Sequence, residues 1–334
     1  MSADDTDVPQ TASRWIGEGR KVALGTVVKT WGSAPRLAGS QIAVRDDGVF
    51  TGSVSGGCVE GAVIGEAQAA MADGKVRLVE FGVADEKAWS VGLACGGRIE
   101  IFIEPLAGEK AGAALAALNQ ARRAACAVVR AVDLSNGEER LIDPRADSSP
   151  LGVAAAQALQ TDQSARAEIE GRSWFLGIFN PPLDLAIVGA VHVAQPLAKM
   201  AAIAGYSVRE IDPRASFGTP ERVPGITLSH DWPDEALARL PLGRRSALVV
   251  LAHDPKIDDP ALMAALASPA FYIGALGSKR THAARLSRLK AHAFTDDALA
   301  RIHGPVGLAI GARSPEEIAV SILAQMTERL RMRS

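Results

Sequence analysis

The spacing of apolar and polar residues divides the chain into two regions of different texture. Up to about Phe179, strand-like stretches alternate with glycine-rich turns. Residues 21–29 read as a strand. Residues 39–44 and 49–54 read as a hairpin turned at Asp46-Asp47-Gly48, because Asp-Gly suits the positive dihedrals of a tight turn. Residues 59–72 read as a helix, with Gly74 just past its end as a stop signal. Residues 98–103 alternate polar and apolar, which predicts a half-buried strand. An alanine-rich helix at 107–121 and strands at 125–132 and 173–179 complete this region.

Asn180-Pro181-Pro182 reads as a stiff linker, since proline fixes its own φ and holds the preceding residue extended. From Leu183 onward the pattern repeats strand then helix. Short apolar runs fall at 185–188, 208–211, 247–252, 271–275 and 306–310, with a helix at 193–204 ending at Gly205. The unbroken run at 247–252 is what a strand covered on both faces requires. Ser314-Pro315-Glu316-Glu317 opens a last helix with a capping box and an early proline. The expectation is an α/β protein: an N-terminal mixed α/β domain over 11–179, and a C-terminal Rossmann-like domain, a doubly wound parallel sheet, over 183–330.

Composition narrows the classes. The chain has 334 residues, 48% hydrophobic and only 4% aromatic, so aliphatic side chains must form most of the core. A formal net charge of -2 argues against a nucleic-acid partner. The start of the chain, 1–10, is polar and acidic; it reads as a short disordered tail, not a signal peptide. No apolar run reaches membrane-spanning length, so no membrane partner is expected. Three cysteines, an odd number, make a disulfide framework a poor fit, and a reducing, cytoplasmic setting is the default.

Two of those cysteines carry the most specific chemistry. Ser55-Gly56-Gly57-Cys58-Val59-Glu60 places a thiol where a strand gives way to a helix, and a helix N-terminus carries partial positive charge. Gly56 and Gly57 leave room for a ligand or for a nest of backbone N–H groups. Leu93-Ala94-Cys95-Gly96-Gly97-Arg98 repeats the device, with Gly96 and Gly97 after the cysteine. Inert core packing is the alternative for any free cysteine. It fits Cys126, inside the apolar stretch 125–129, better than it fits Cys58 or Cys95. A soft thiolate could hold a molybdenum or thiolene sulfur centre, or carry a sulfur atom. Thr30-Trp31-Gly32-Ser33-Ala34-Pro35-Arg36 is a third dense loop, in which Arg36 could reach a phosphate and Trp31 could stack on a flat heterocycle.

In an open parallel sheet, ligands sit beyond the carboxyl ends of the strands. Those positions here hold Gly189 and His192, then Asp212, then His253, then Gly277, Ser278, Lys279 and Arg280. Asp212 lies 23 positions beyond Gly189, the spacing of an acidic residue that holds a ribose hydroxyl. Val191, however, stands where a nucleotide fingerprint has its middle glycine, so NAD(P) is not expected. Gly277 to Arg280 forms an anion site if the next helix offers its free N–H groups; a solvated helix face is the plain alternative.

Together these segments resemble the XdhC/CoxI family. The resemblance runs from about Trp15 to Gln325 and is weakest over 109–173. It implies an accessory protein that binds molybdenum cofactor (molybdopterin) and favours its sulfurated form. The cofactor would then be delivered to a xanthine-dehydrogenase-type molybdenum hydroxylase, with a cysteine desulfurase as sulfur donor. A homodimer is a further expectation, and a binding role of this kind needs no turnover of its own. The cofactor-binding set is then Arg36, Gly56, Gly57, Cys58, Cys95, Gly96, Gly97, Gly189, His192, Asp212, Gly277, Ser278, Lys279 and Arg280. Cys58 or Cys95 would be the contact to molybdenum or sulfur. The rivals are a nicotinamide-dependent oxidoreductase and a sulfur-carrier enzyme built on the cysteines alone.

Overall fold

The first helix, α1 (Val8–Gly17), begins where the composition suggests a tail. Asp7 caps it by accepting from the Gln10 N–H at 3.1 Å, and Pro9 occupies an early helical position that needs no donor. Residues 8–10 are therefore helical, and the disordered-tail expectation is corrected there. The structure is a computed structural model describing residues 7–34, 36–82 and 97–332. It separates into two units that meet in sequence between Pro181 and Pro182.

In the first unit, β1 (Val22–Trp31), β2 (Gln41–Arg45) and β3 (Phe50–Gly52) are followed by α2 (Glu60–Asp73), β4 (Arg77–Phe81) and β5 (Arg98–Leu106). The five strands form an antiparallel sheet in the order β3-β2-β1-β5-β4. Strand alternation gives it two apolar faces. Ala23, Val27, Ile42, Ile99 and Ile101 pack against Val63, Ala67 and Ala70 of α2. Val22, Leu24 and Ala43 pack against α1 and against Leu115 and Leu118 of α3 (Gly108–Arg123). Each fully buried Val, Leu or Ile side chain here contributes about 1.5–3 kcal/mol.

A second antiparallel sheet, in the order β7-β6-β9-β8, is built from β6 (Val128–Asp133), β7 (Glu139–Ile142), β8 (Ala165–Ile169) and β9 (Arg172–Phe179). One face is covered by α4 (Pro150–Thr161). Buried Arg130 on β6 spans the two sheets, with bonds of 2.7 and 2.9 Å to Glu104 on β5 and one of 2.8 Å to Glu139. Cys126 departs from expectation. The strand begins only at Val128, so Cys126 sits in the turn before it and is half-exposed.

The second unit runs β10 (Leu183–Val188), α5 (Ala194–Ile203), β11 (Tyr206–Ile211), β12 (Thr227–Ser229), α6 (Pro233–Arg239), β13 (Ser246–Val250), α7 (Pro255–Leu266), β14 (Tyr272–Ala275), α8 (Lys279–Ala291), α9 (Asp296–Leu299), β15 (Ile302–His303) and α10 (Pro315–Arg331). Its sheet is parallel throughout, in the order β12-β11-β10-β13-β14-β15, so the winding reverses between β10 and β13. One apolar face packs under α6, α7 and α8, the other under α5 and α10. This is the doubly wound arrangement that the alternating pattern predicts.

The apolar run 306–310 is not a strand. Val306 donates to the Ala275 carbonyl at 3.2 Å and Leu308 to the Ser321 carbonyl at 3.1 Å, so the segment closes onto α10 as a loop, and the edge strand is β15. Ser314 and Glu317 form the expected reciprocal cap on α10. Among the described residues no helix is long and apolar enough to cross a membrane.

Candidate functional site

Antiparallel pairing sets one edge of the first sheet. Trp31 at the end of β1 lies opposite Arg98 at the start of β5, and Gly52 at the end of β3 lies opposite Ile42 near the start of β2. The loops that follow Trp31 and Gly52, and the segment entering β5, therefore emerge together. Two contacts tie them. Arg36 Nε donates to the Ser53 carbonyl at 3.2 Å. Gly97 is buried against the 33–34 backbone, where an added Cβ would lie 2.9 Å from Ala34 N and 3.0 Å from Ser33 C. Trp31 is covered by the Lys29 ammonium at 4.6 Å and the Arg98 guanidinium at 5.2 Å from its ring. Cys95 and Gly96 lie outside the described residues.

The loop holding Cys58 is organised by Glu60, whose role the motif alone does not reveal. This carboxylate is 7% exposed. One oxygen accepts from Ser53 Oγ (2.8 Å), Val54 N (3.2 Å) and Ser55 N (2.9 Å). The other accepts from Ser55 Oγ and from Gly57 N (2.9 Å). Burial pushes the carboxyl pKa up, but the Ser55 hydroxyl and N–H and the Ser53 hydroxyl outweigh it and hold it down at about 2. Gly56 and Gly57 have φ of 76° and 115°, and among the described residues nothing lies within 4 Å of where their Cβ atoms would be. The glycines thus serve backbone conformation, and no described residue fills the space before them. Cys58 is exposed, two residues ahead of the first residue of α2. A thiol beside open, positively curved backbone can meet a ligand.

In the second unit, the loops after β10 and β13 abut at the point where the winding reverses. Gly189 has φ 103°, and an added Cβ would lie 2.6 Å from Ala252 N. Asp212 is fully buried at the end of β11. It accepts from Ala190 N at 2.8 Å and from Arg214 N, Nε and Nη2 at 3.0, 2.9 and 2.7 Å. Burial opposes ionisation, but these donors hold its pKa below the ordinary value. Its carboxylate thus accepts four hydrogen bonds from within the protein. Val191 packs half-buried on the core under α5, while His192 is exposed.

Gly277 precedes α8 with φ 141°, Ser278 caps the helix by accepting from Thr281 N at 3.1 Å, and Lys279 and Arg280 are exposed on its first turn. Beneath this edge, Arg285 and Asp258 are buried with their charged groups 3.6 Å apart. The pattern of the sequence did not reveal this pair, because Arg285 is one of several cations on α8 and spacing alone does not mark it as buried. Among the described residues no cluster of three His, Cys, Asp or Glu side chains could hold a metal ion.

Fold and loops define an α/β protein of two units, one built to expose a glycine-flanked thiol and the other a doubly wound sheet. Residues 15–82 match the family described as XdhC and CoxI, and residues 185–326 match the XdhC Rossmann domain. The chain is 31% identical over 327 residues to the molybdenum cofactor insertion chaperone PaoD of Escherichia coli (strain K12), covering 98% of this chain and 89% of that protein. It is 27% identical to a probable xanthine dehydrogenase subunit of Bacillus subtilis (strain 168), over 92% of this chain and 93% of that one. A solved structure, titled a xanthine dehydrogenase from Bacillus halodurans, superposes with a TM-score of 0.76 at 25% identity, covering 98% of this chain and 96% of that one. The chain belongs to the XdhC/CoxI family.

Proposed function

We propose that this protein binds molybdenum cofactor as cargo, supports its sulfuration and passes it to a xanthine-dehydrogenase-type molybdenum hydroxylase. A cysteine desulfurase supplies the sulfur on this reading. Client and donor belong to a cytoplasmic setting that keeps the thiols reduced, and a homodimer is a further part of the proposal. The observation that carries it is the exposed Cys58 thiol on a loop whose backbone is held by the buried Glu60 carboxylate. Likeness over nearly the whole length to an insertion chaperone supports the same role. Cys95 is the second proposed thiol contact, on the strength of its glycine pair in the sequence. A carrier of this kind works by differential affinity, tight enough to shield a labile ligand and weak enough to release it.

The test is purification of the full chain with cofactor, followed by molybdenum analysis and pterin fluorescence. Cys58→Ala and Cys95→Ala are expected to lower cofactor retention several-fold while leaving circular dichroism unchanged. Full retention in both variants removes the thiol assignment. Tight binding of NAD or NADP with hydride transfer, and no pterin, favours an oxidoreductase instead.

A further inference from the structure

One groove in the first unit joins Arg36 of the 30–36 loop to residues that no motif singled out. It is a groove of about 780 Å³ between α1 and the β2–β3 hairpin, a volume suited to a ligand of cofactor size. Arg14, Arg36 and Arg45 line it, with Trp15, Phe50 and Ser53; among the described residues Glu18 is its one acidic lining residue. Its cations are of two kinds. Arg45 is fixed, with bonds of 2.9 and 2.8 Å to Asp47 and its guanidinium over the Trp15 ring. Arg36 is exposed and anchored through Nε alone, leaving its two terminal nitrogens without a hydrogen bond or ion pair among the described residues. Phe50, 46% exposed, adds an apolar surface on which a flat ring can rest.

The groove is continuous with the thiol loop through Ser53. The Ser53 carbonyl holds Arg36, and its hydroxyl donates to Glu60 and accepts from Gly56 N at 2.9 Å. One residue thus joins an arginine cluster to the backbone that carries Cys58. We propose that this groove seats the phosphate end of a flat heterocyclic cargo whose sulfur-bearing end lies at the Cys58 loop. The assignment rests on the cargo reading above and moves phosphate recognition from the crevice of the second unit to the first unit. Arginine suits the task because its planar fork pairs with two phosphate oxygens at once.

Inorganic pyrophosphate, titrated calorimetrically into the full chain, serves as the probe for the anionic end, and retention of molybdenum cofactor through gel filtration serves as the second readout. The exposed pair Arg14→Gln/Arg36→Gln is expected to weaken pyrophosphate about tenfold or more, with cofactor retention falling alongside. Binding to the unaltered protein should weaken as salt rises. Arg36→Gln alone, checked by thermal unfolding, gives a smaller loss in the same direction if the double variant folds poorly. No pyrophosphate binding, equal affinity in the groove variant, or a loss confined to Lys279→Gln/Arg280→Gln overturns the proposal. If the groove variant loses pyrophosphate but the unaltered protein retains no molybdenum cofactor, the anion site stands and the cargo reading fails. If both proteins retain cofactor equally, the cargo reading stands and the groove assignment fails.

Discussion

Replacing Glu60 by glutamine tests whether the Cys58 loop is held by one buried charge. The amide keeps one acceptor oxygen, so three of the bonds can persist in neutral form. Its NH2 group then faces the Gly57 N–H, donor against donor, where the carboxylate accepts at 2.9 Å. Losing that bond and the charge assistance on the others costs about 2–3 kcal/mol. Proton linkage gives a comparable figure. The carboxyl pKa falls from its ordinary 4.5 to about 2 on folding, which corresponds to about 2–3 kcal/mol once screening at a partly open loop is allowed for. Because the folded value is the lower one, this stabilisation is fully present above pH 4.5 and is lost as pH falls through about 2. Glu60→Gln should therefore speed amide exchange across 53–59 and the start of α2 at pH 7. Its urea midpoint should lack the acid-side decline that this group contributes between those two pH values. Unchanged exchange together with an unchanged acid profile would refute the claim that Glu60 organises the loop.

Two further expectations concern the second unit. Gly189→Ala places a Cβ 2.6 Å from Ala252 N at a residue with φ 103°, so the unit should lose about 2–4 kcal/mol, read by urea unfolding with amide exchange in α5 and β13; native-like stability would mean that the two loops are not in contact. Glu210 is 1% exposed with Oε2 unpartnered among the described residues, and burial, then the neighbouring Asp212 charge, pushes its pKa up to about 7. A raised folded value stabilises the protonated form, a contribution present below pH 4.5 and lost as pH rises through 7, so Glu210→Gln should gain about 1–3 kcal/mol at pH 8 and little at pH 5. A gain that does not vary with pH would refute this.

The second unit was legible because parallel strands covered on both faces leave unbroken apolar runs, and 185–188, 208–211 and 247–252 all fall within β10, β11 or β13 and its immediate exit. The same rule failed at 306–310, since an apolar run says that a segment is buried, not that its amides join a ladder. At the N-terminus the acidic composition concealed a cap made by Asp7 with Pro9 behind it. Cys58 was visible as a chemical position because cysteine and paired glycines need no tertiary information to be conspicuous. Glu60 was not, because its bonds reach back three to seven residues into a loop whose path only the fold defines. The arginine groove was hidden for a related reason: Arg14, Arg36 and Arg45 come from a helix, a loop and a strand, and no spacing rule joins them.

Asp212 shows why spacing can be right while the inferred role changes. A first loop in a doubly wound sheet binds anions when its backbone N–H groups are left free. Here the Ala190 N–H is taken by Asp212, whose charge is in turn matched by Arg214, and Gly189 is pressed against Ala252. The loop satisfies its own polar groups from within. In the first unit the balance is reversed: Glu60 takes the Gly57 N–H and the Ser53 and Ser55 hydroxyls, yet among the described residues nothing fills the space before both glycines and Arg36 keeps its terminal nitrogens unpaired. An anion approaching the first unit meets the terminal nitrogens of Arg36, which hold no internal bond among the described residues. One approaching the Gly189 loop must first draw the buried Asp212 carboxylate away from the Ala190 N–H and the half-exposed Arg214, and hydrogen bonds to a charged group are worth about 1.5–3 kcal/mol each. That difference is the physical reason for assigning the phosphate to the first unit.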